Sequence, residues 1–160
     1  MDIANEIESW IDKIIKSYAG NSISCATLSN QLGDCYPLSF LQKCKYVVVD
    51  NIPRPEINLP EFHDFLTMDI EGITYKELYF IKSGCEHEMP LHLHELVHVA
   101  QWNHLGANNF INRYLTEIKV YGYYDAPLEK MAYYAQSEFE TKNQIINIPA
   151  WVSNSLEITQ

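Results

Sequence analysis

Residues 91–102 read LHLHELVHVAQW, and this stretch decides how the rest of the chain is interpreted. A helix that is apolar around its whole circumference belongs in a protein interior. His94, Glu95 and His98 nevertheless lie in the middle of it, and buried polar side chains need partners. The pattern therefore predicts a buried helix whose polar side chains hold a ligand. The apolar positions that surround them are Leu91, Leu93, Leu96, Val97, Val99 and Ala100.

The two histidines have the spacing of metal ligands. His94 and His98 are four residues apart, so on a helix they share one face and lie about 6 Å apart along the axis. Both rings can therefore point a nitrogen at one cation, and neutral imidazole is a usual zinc ligand. Glu95 is rotated about 100° from His94, which places it beside the cation rather than in its coordination shell. This HExxH spacing predicts two ligands, His94 and His98, and one general base, Glu95.

A catalytic zinc site usually has three protein ligands and one open position, so a third ligand is expected. Our preferred candidate is Glu129, in APLEKMAYYA, a polar residue beside the apolar stripe of a later predicted helix. His104 would complete a three-histidine motif only if a glycine stood at position 101, where the chain has a glutamine. The alternatives that stay open are His104, Glu117 and Glu138.

Other polar residues near this helix also have expected roles. Tyr123 follows Gly122 between two predicted helices, and we expect its hydroxyl to stabilise an oxyanion. The alternative is a tyrosine that packs between helices with its hydroxyl facing outward. His92 projects from nearly the opposite side of the helix, so we expect it in the core or against a loop. Residues 85–87 (Cys-Glu-His) are expected to be a solvated loop rather than a second metal site.

Composition limits the class of protein and its partners. The chain has 160 residues, 47% of them hydrophobic and 20% charged, which predicts one globular domain, 1–160. Its 21 acidic and 11 basic residues give a net charge of −10, which disfavours a nucleic-acid partner. No segment approaches the roughly 20 apolar residues that span a bilayer, and the acidic N-terminus is a poor signal peptide. We therefore expect a cytoplasmic protein without membrane contact and with reduced cysteines; delivery as an effector protease is the alternative.

The order of predicted elements is a helix, a few strands and then several helices, which indicates an α+β fold. We expect a helix-rich domain with a short β-sheet beside the helix that carries His94. Asp125 is the predicted N-cap of the last helix. The predicted elements are an N-terminal helix over 2–19, ended near Gly20; one or two short helices within 22–43; strands and loops over 45–82, with strands at 45–50 and 74–82; and an active-site helical half over 89–142, with helices at 91–104, at 108–121 and after 125.

HELVHVAQW, the helix after it and YGYYDAPLEKMAYYA together resemble the HExxH…E zinc metallopeptidases, called zincins, and specifically the gluzincins. Residues 74–140 are similar to small bacterial metallopeptidase-like domains with a HELxHVxQ helix and a PLExxA helix. The resemblance implies a zincin-like fold with an edge strand over the site and one zinc ion. It also implies His94, His98 and Glu129 as ligands, with Glu95 catalytic. Thirty residues separate His98 from Glu129, more than in thermolysin-like enzymes.

The expected activity is zinc-dependent hydrolysis of a peptide or protein substrate. A metal-bound water attacks the peptide carbonyl while Glu95 takes its proton as general base. The alternative is a catalytically silent metal-binding or interaction domain that retains the fold. A glutamate at position 95 favours the enzyme, because a structural zinc site usually closes with four ligands and does not use a base.

Overall fold

Helices form most of the structure, with a small sheet on one side. The structure, a computed structural model, describes residues 2–159. Within that range the helices are α1 (Ile3–Ser17), α2 (Ser29–Leu32), α3 (Leu38–Leu41), α4 (His63–Thr67), α5 (Met89–Leu105), α6 (Ala107–Tyr121), α7 (Pro127–Glu140) and α8 (Ile148–Thr159). The strands are β1 (Ile23–Ser24), β2 (Lys45–Val49), β3 (Gly72–Tyr75) and β4 (Leu78–Lys82). The predicted α+β class is confirmed.

The four strands form one mixed sheet in the order β1-β2-β4-β3. β2 and β4 are parallel, with Val47 opposite Phe80, whereas β3 pairs antiparallel with β4, with Ile73 opposite Phe80. β1 pairs antiparallel with β2. β3 is therefore an edge strand, and it packs against α5. This arrangement confirms the expected short sheet beside the helix that carries His94.

Helix α5 is the centre of the fold. Each residue from His92 to Trp102 is buried. The helices α6, α7 and α8 pack against it, as do β3 and β4. An apolar circumference is what a helix needs when neighbours cover every side, so the sequence pattern and the packing agree. Within residues 2–159, no helix is both long enough and apolar enough to cross a bilayer.

The predicted strand over 74–82 is wrong, because the chain reverses within it. Lys76 has a positive φ of 61° and lies in the turn between β3 and β4. Its ammonium group lies 2.8 Å from carboxylate oxygens of Glu8 and Asp12 on α1. The turn residues, Lys76 and Glu77, include no glycine, proline, asparagine or aspartate, so the sequence carried no common turn signal there. The ion pairs that fasten this turn to α1 come from distant residues.

Other boundaries also differ from the predictions. The first helix ends at Ser17, and Gly20 lies in a following 3-10 turn. Asp125 does not cap α7, whose N-cap is Ala126. The N–H of Leu128 instead donates to Glu117 Oε1 on α6, at 2.7 Å. The sequence did not predict β1, α4 or α8.

Candidate metal centre

Helices α5 and α7 bring the three expected ligands together. The Nε2 atoms of His94 and His98 lie 3.1 Å from Oε1 and Oε2 of Glu129, respectively. One ligand atom from each residue lies within 4.8 Å of the other two, so the group could hold a metal ion. All three residues are buried, with exposed fractions of 3% to 4%. Two histidines on one helix and a glutamate on another therefore form a closed, convergent donor set.

Two glutamines orient the histidine rings from behind. His94 Nδ1 lies 3.0 Å from Gln136 Oε1, and His98 Nδ1 lies 2.8 Å from Gln101 Oε1. The amide of Gln101 has a defined orientation, because its Nε2 donates to the Leu128 carbonyl at 3.0 Å. Its oxygen must then accept from His98, so the His98 Nδ1 carries a hydrogen. This is the outer-shell pattern that leaves Nε2 available to a metal.

The neighbourhood of His98 Nε2 tests whether a cation fits. This buried atom has no hydrogen bond of acceptable geometry among the described residues, although Glu129 Oε2 is 3.1 Å away. In a neutral ring with hydrogen on Nδ1, the Nε2 lone pair would face a carboxylate oxygen. Two acceptors at that distance repel unless a positive charge lies between them. Two imidazole nitrogens and a carboxylate oxygen could hold a metal ion as that charge.

Without metal, a proton supplies the positive charge. Burial would lower the pKa of His98, but the Glu129 carboxylate raises it to about 9. Burial would raise the pKa of Glu129, but the charge of His98 and the hydrogen bond from His94 hold it well below its usual range. The metal-free pair is therefore an ion pair, and a metal ion would replace the proton on His98.

Helix α6 supports the third ligand in two ways. The Tyr114 hydroxyl donates to Glu129 Oε2 at 2.6 Å, and its ring meets the His98 ring edge-on. Glu117 Oε1 accepts a hydrogen bond from the N–H of Leu128, the residue before Glu129. Arg113 Nε donates to Glu117 Oε2. Glu117, one of the alternative ligands from the sequence, is therefore a buried residue that caps the start of α7. Helix α6 therefore lengthens the sequence interval between His98 and Glu129 and also positions Glu129.

Glu95 lies beside the ligands without belonging to their group. Its Oε1 accepts from the Thr74 hydroxyl at 2.8 Å, and its Oε2 lies 3.9 Å from His94 Nε2. Thr74 belongs to the edge strand β3, whose Gly72 also lies over the carboxylate: a Cβ there would be 3.0 Å from Glu95 Oε2. Burial raises the pKa of Glu95, an effect that the nearby imidazoles oppose. Neither Thr74 nor Gly72 carries a sequence signal for this role.

The expected oxyanion donor lies near the site, but no contact tests that role. The Tyr123 ring stacks on Phe65, and its hydroxyl is 3.4 Å from that of Tyr133. Tyr123 lines one cavity together with Glu95 and Glu129. Its assignment as oxyanion donor therefore stays a prediction.

The other ligand candidates lie outside the group that the structure brings together. Glu138 accepts from Asn143 at the end of α7, and His104 lies in the last turn of α5. His92 is a core residue: its Nδ1 is 2.7 Å from the Tyr79 hydroxyl and its Nε2 is 2.9 Å from the Glu86 carbonyl.

A second set of metal-type side chains, Glu71, Cys85 and Glu88, lies at the protein surface. Both glutamates are exposed, and exposed acidic groups are common without a metal. We therefore assign no site there.

The chain was also compared with known proteins. No family model, no curated protein and no solved structure matches it.

Proposed function

We propose that this protein is a zinc-dependent hydrolase of peptide bonds, with His94, His98 and Glu129 as metal ligands and Glu95 as general base. The observation that carries the proposal is the position of Glu95. Its carboxylate is buried next to three converging ligand atoms, yet Thr74 holds it outside their group. A structural zinc site would be expected to use a fourth ligand and would not need a base.

The residues divide the chemistry between them. When bound, zinc would supply Lewis-acid catalysis, which acidifies water and polarises a carbonyl group. Glu95 Oε2 would take the proton from the attacking water and return it to the leaving amine. The Thr74 hydroxyl donates a hydrogen bond to Glu95 Oε1, which would leave Glu95 Oε2 free for this transfer. Tyr123 is the proposed donor to the developing oxyanion.

The surroundings of the site support a peptide substrate. An open depression of about 260 Å³ reaches the surface beside the ligands and is lined by His94, Glu95 and Gln136, among others. Strand β3 forms one side, and an edge strand can pair with an extended peptide. The proposal includes a reducing compartment such as the cytoplasm, because all four cysteines are described and unpaired.

The test is the Glu95→Gln variant, assayed for zinc content and for cleavage of labelled casein. We expect one zinc per chain, as in the unsubstituted protein, and hydrolysis reduced by at least about 100-fold. Glu56→Gln makes the same substitution at an exposed residue in a loop; it is the matched control and should retain activity. The chelator 1,10-phenanthroline should abolish cleavage by the unsubstituted protein, and added zinc should restore it.

Two results would contradict the proposal. Unchanged turnover in Glu95→Gln would remove the general-base assignment. Zinc bound in the expected ratio without cleavage of casein or of a random peptide library would instead favour a metal-binding domain.

A further inference from the structure

Two buried cysteines, Cys25 and Cys44, lie opposite each other at the end of the β1–β2 ladder. The register of these antiparallel strands pairs Ser24 with Lys45. It continues by one residue, because the Cys25 N–H donates to the Cys44 carbonyl at 2.9 Å. Directly opposite residues of an antiparallel pair point to the same face, and a hydrogen-bonded pair has its Cα atoms about 5.5 Å apart. That spacing lies within the range that a disulfide needs.

Both thiols face the same part of the core. Cys25 and Cys44 are 0% and 1% exposed. Burial raises the pKa of the Tyr36 hydroxyl well above its usual range. Negative charge on any of three nearby thiols, those of Cys35, Cys44 and Cys25, would raise it further. Because one hydroxyl is affected by both Cys25 and Cys44, their sulfur atoms lie on one side of the sheet.

Oxidation of the two thiols would leave no buried hydrogen-bond donor without a partner. The Cys25 S–H donates to the Tyr79 hydroxyl at 3.5 Å, and the Cys44 S–H donates to the Phe40 carbonyl at 3.2 Å. Loss of the thiol hydrogens affects only these two acceptors, and each has another partner. The Tyr79 hydroxyl lies 2.7 Å from His92 Nδ1, and the Phe40 carbonyl accepts a backbone N–H at 3.1 Å. A disulfide would therefore add no unsatisfied polar group to the core.

Strand β1 gives a small oxidant a route to these thiols. It has two residues and lies at the edge of the sheet beside β2, and its Ile23 is 40% exposed. An element with so few buried contacts opens locally at a low cost in free energy. Burial raises the pKa of Cys25 to about 12, so little thiolate forms while the strand is closed. We therefore expect the thiols to react slowly, when the strand opens.

We propose that Cys25 and Cys44 are a redox-active dithiol that hydrogen peroxide converts into one disulfide at the end of the β1–β2 ladder. The thiolate of one cysteine displaces hydroxide from the peroxide and becomes a sulfenic acid. The thiolate of the other attacks that sulfur and displaces a second hydroxide, which forms the S–S bond. The two thiol protons combine with the two hydroxides, so the products are one disulfide and two water molecules.

The disulfide would cross-link residues 25–44, a segment that contains α2 and α3. Closing a loop of this length restricts the unfolded chain, and we expect the melting temperature to rise by about 5–10 °C. Dithiothreitol should reverse this shift. Neither the disulfide nor the shift depends on zinc or on peptide cleavage, so this proposal and the proposed function can fail separately.

The test is peptide mapping of the protein after exposure to hydrogen peroxide. Catalase ends the reaction, and N-ethylmaleimide then blocks the remaining thiols in urea. We expect a cross-link between the tryptic peptides 17–43 and 44–45, with fragment spectra that assign the bond to Cys25 rather than Cys35. Cys85→Ser removes the one partly exposed thiol of the four and should keep both the disulfide and the thermal shift. Cys44→Ala should lose both.

Three results would overturn the proposal. In the first, Cys25 and Cys44 stay reduced under conditions that fully oxidise Cys85. In the second, either cysteine forms its disulfide with Cys35 or with another chain. In the third, the bond between Cys25 and Cys44 forms but lowers the melting temperature. The mapping is done on the unsubstituted protein, so its outcome decides the proposal even where Cys44→Ala fails to fold.

Discussion

Replacing Gln101 with methionine is the sharpest test of how the ligands are held. Gln101 accepts from His98 Nδ1 at 2.8 Å and donates to the Leu128 carbonyl at 3.0 Å. One side chain thus connects the second ligand with the backbone next to the third. Methionine has a similar length and an apolar character, so Gln101→Met removes both hydrogen bonds with little change in volume.

The structure sets the size of the expected effect. Gln101→Met leaves the His98 N–H and the Leu128 carbonyl buried without these partners, and each such group costs about 1–3 kcal/mol. The free energy of unfolding of the metal-free protein should therefore fall by about 2–6 kcal/mol. Loss of an outer-shell partner of a metal ligand typically weakens metal binding by about 10–100-fold, and we expect that loss for zinc.

Zinc affinity is measured by competition with a chromophoric chelator, and stability is measured by urea unfolding of the metal-free protein. Gln101→Glu separates the two contacts, because it retains an acceptor for His98 but has no donor for Leu128. It should lose stability while losing less zinc affinity than Gln101→Met. Gln31→Met makes the same substitution at an exposed position and should change neither quantity. Undiminished zinc affinity in Gln101→Met would refute the assignment of Gln101 as a positioning residue.

Three further predictions concern His98, Thr74 and Cys85. The pKa of His98 is raised to about 9 in the metal-free protein, so zinc binding should release about one proton from His98 near pH 7 and almost none from His98 near pH 10. Calorimetry in buffers of different ionisation enthalpy, compared with His98→Gln, measures this contribution. Thr74→Val should leave zinc affinity unchanged but lower turnover about 10-fold, because the Glu95 carboxylate loses the hydrogen bond that orients it. Thr74→Ser should restore turnover. A loss of zinc affinity in Thr74→Val would contradict the role given to Thr74. All four cysteines lie in the described residues, and Cys85 is the only one of them that is partly exposed. A thiol reagent should therefore modify one cysteine slowly in the folded protein and all four in urea. Modification of more than one cysteine in the folded protein would show that the core opens.

The raised pKa of His98 also sets the pH range in which the metal-free protein is most stable. The ion pair with Glu129 needs a protonated imidazole, so its contribution is present below the unfolded-state pKa of histidine, about 6.5, and is lost as the pH rises through about 9. The Glu129 carboxylate has a lowered pKa, so its contribution is lost in acid. The metal-free protein should be most stable between these limits. In the zinc-loaded protein the loss near pH 9 should disappear, because the metal replaces the proton.

Local patterns in the sequence predicted the central part of the site. The apolar circumference of residues 91–102 indicated a buried helix, and the four-residue spacing of His94 and His98 placed both rings on one face. Both inferences depend only on the geometry of one helix, so short-range information was sufficient. The α+β class followed in the same way from the order of helical and strand-like segments.

Only the tertiary structure decided which distant residues complete the site. Glu117 and Glu129 both occur on helices with mixed polar neighbours. The packing of α6 and α7 on α5 makes Glu129 a candidate ligand and Glu117 a helix cap. Thr74 meets Glu95 because the chain reverses at Lys76, where ion pairs to α1 fasten the turn. Such contacts join residues far apart in sequence, and their partners leave no periodic signal. A helix determines where its own side chains point, whereas the fold as a whole determines what they meet.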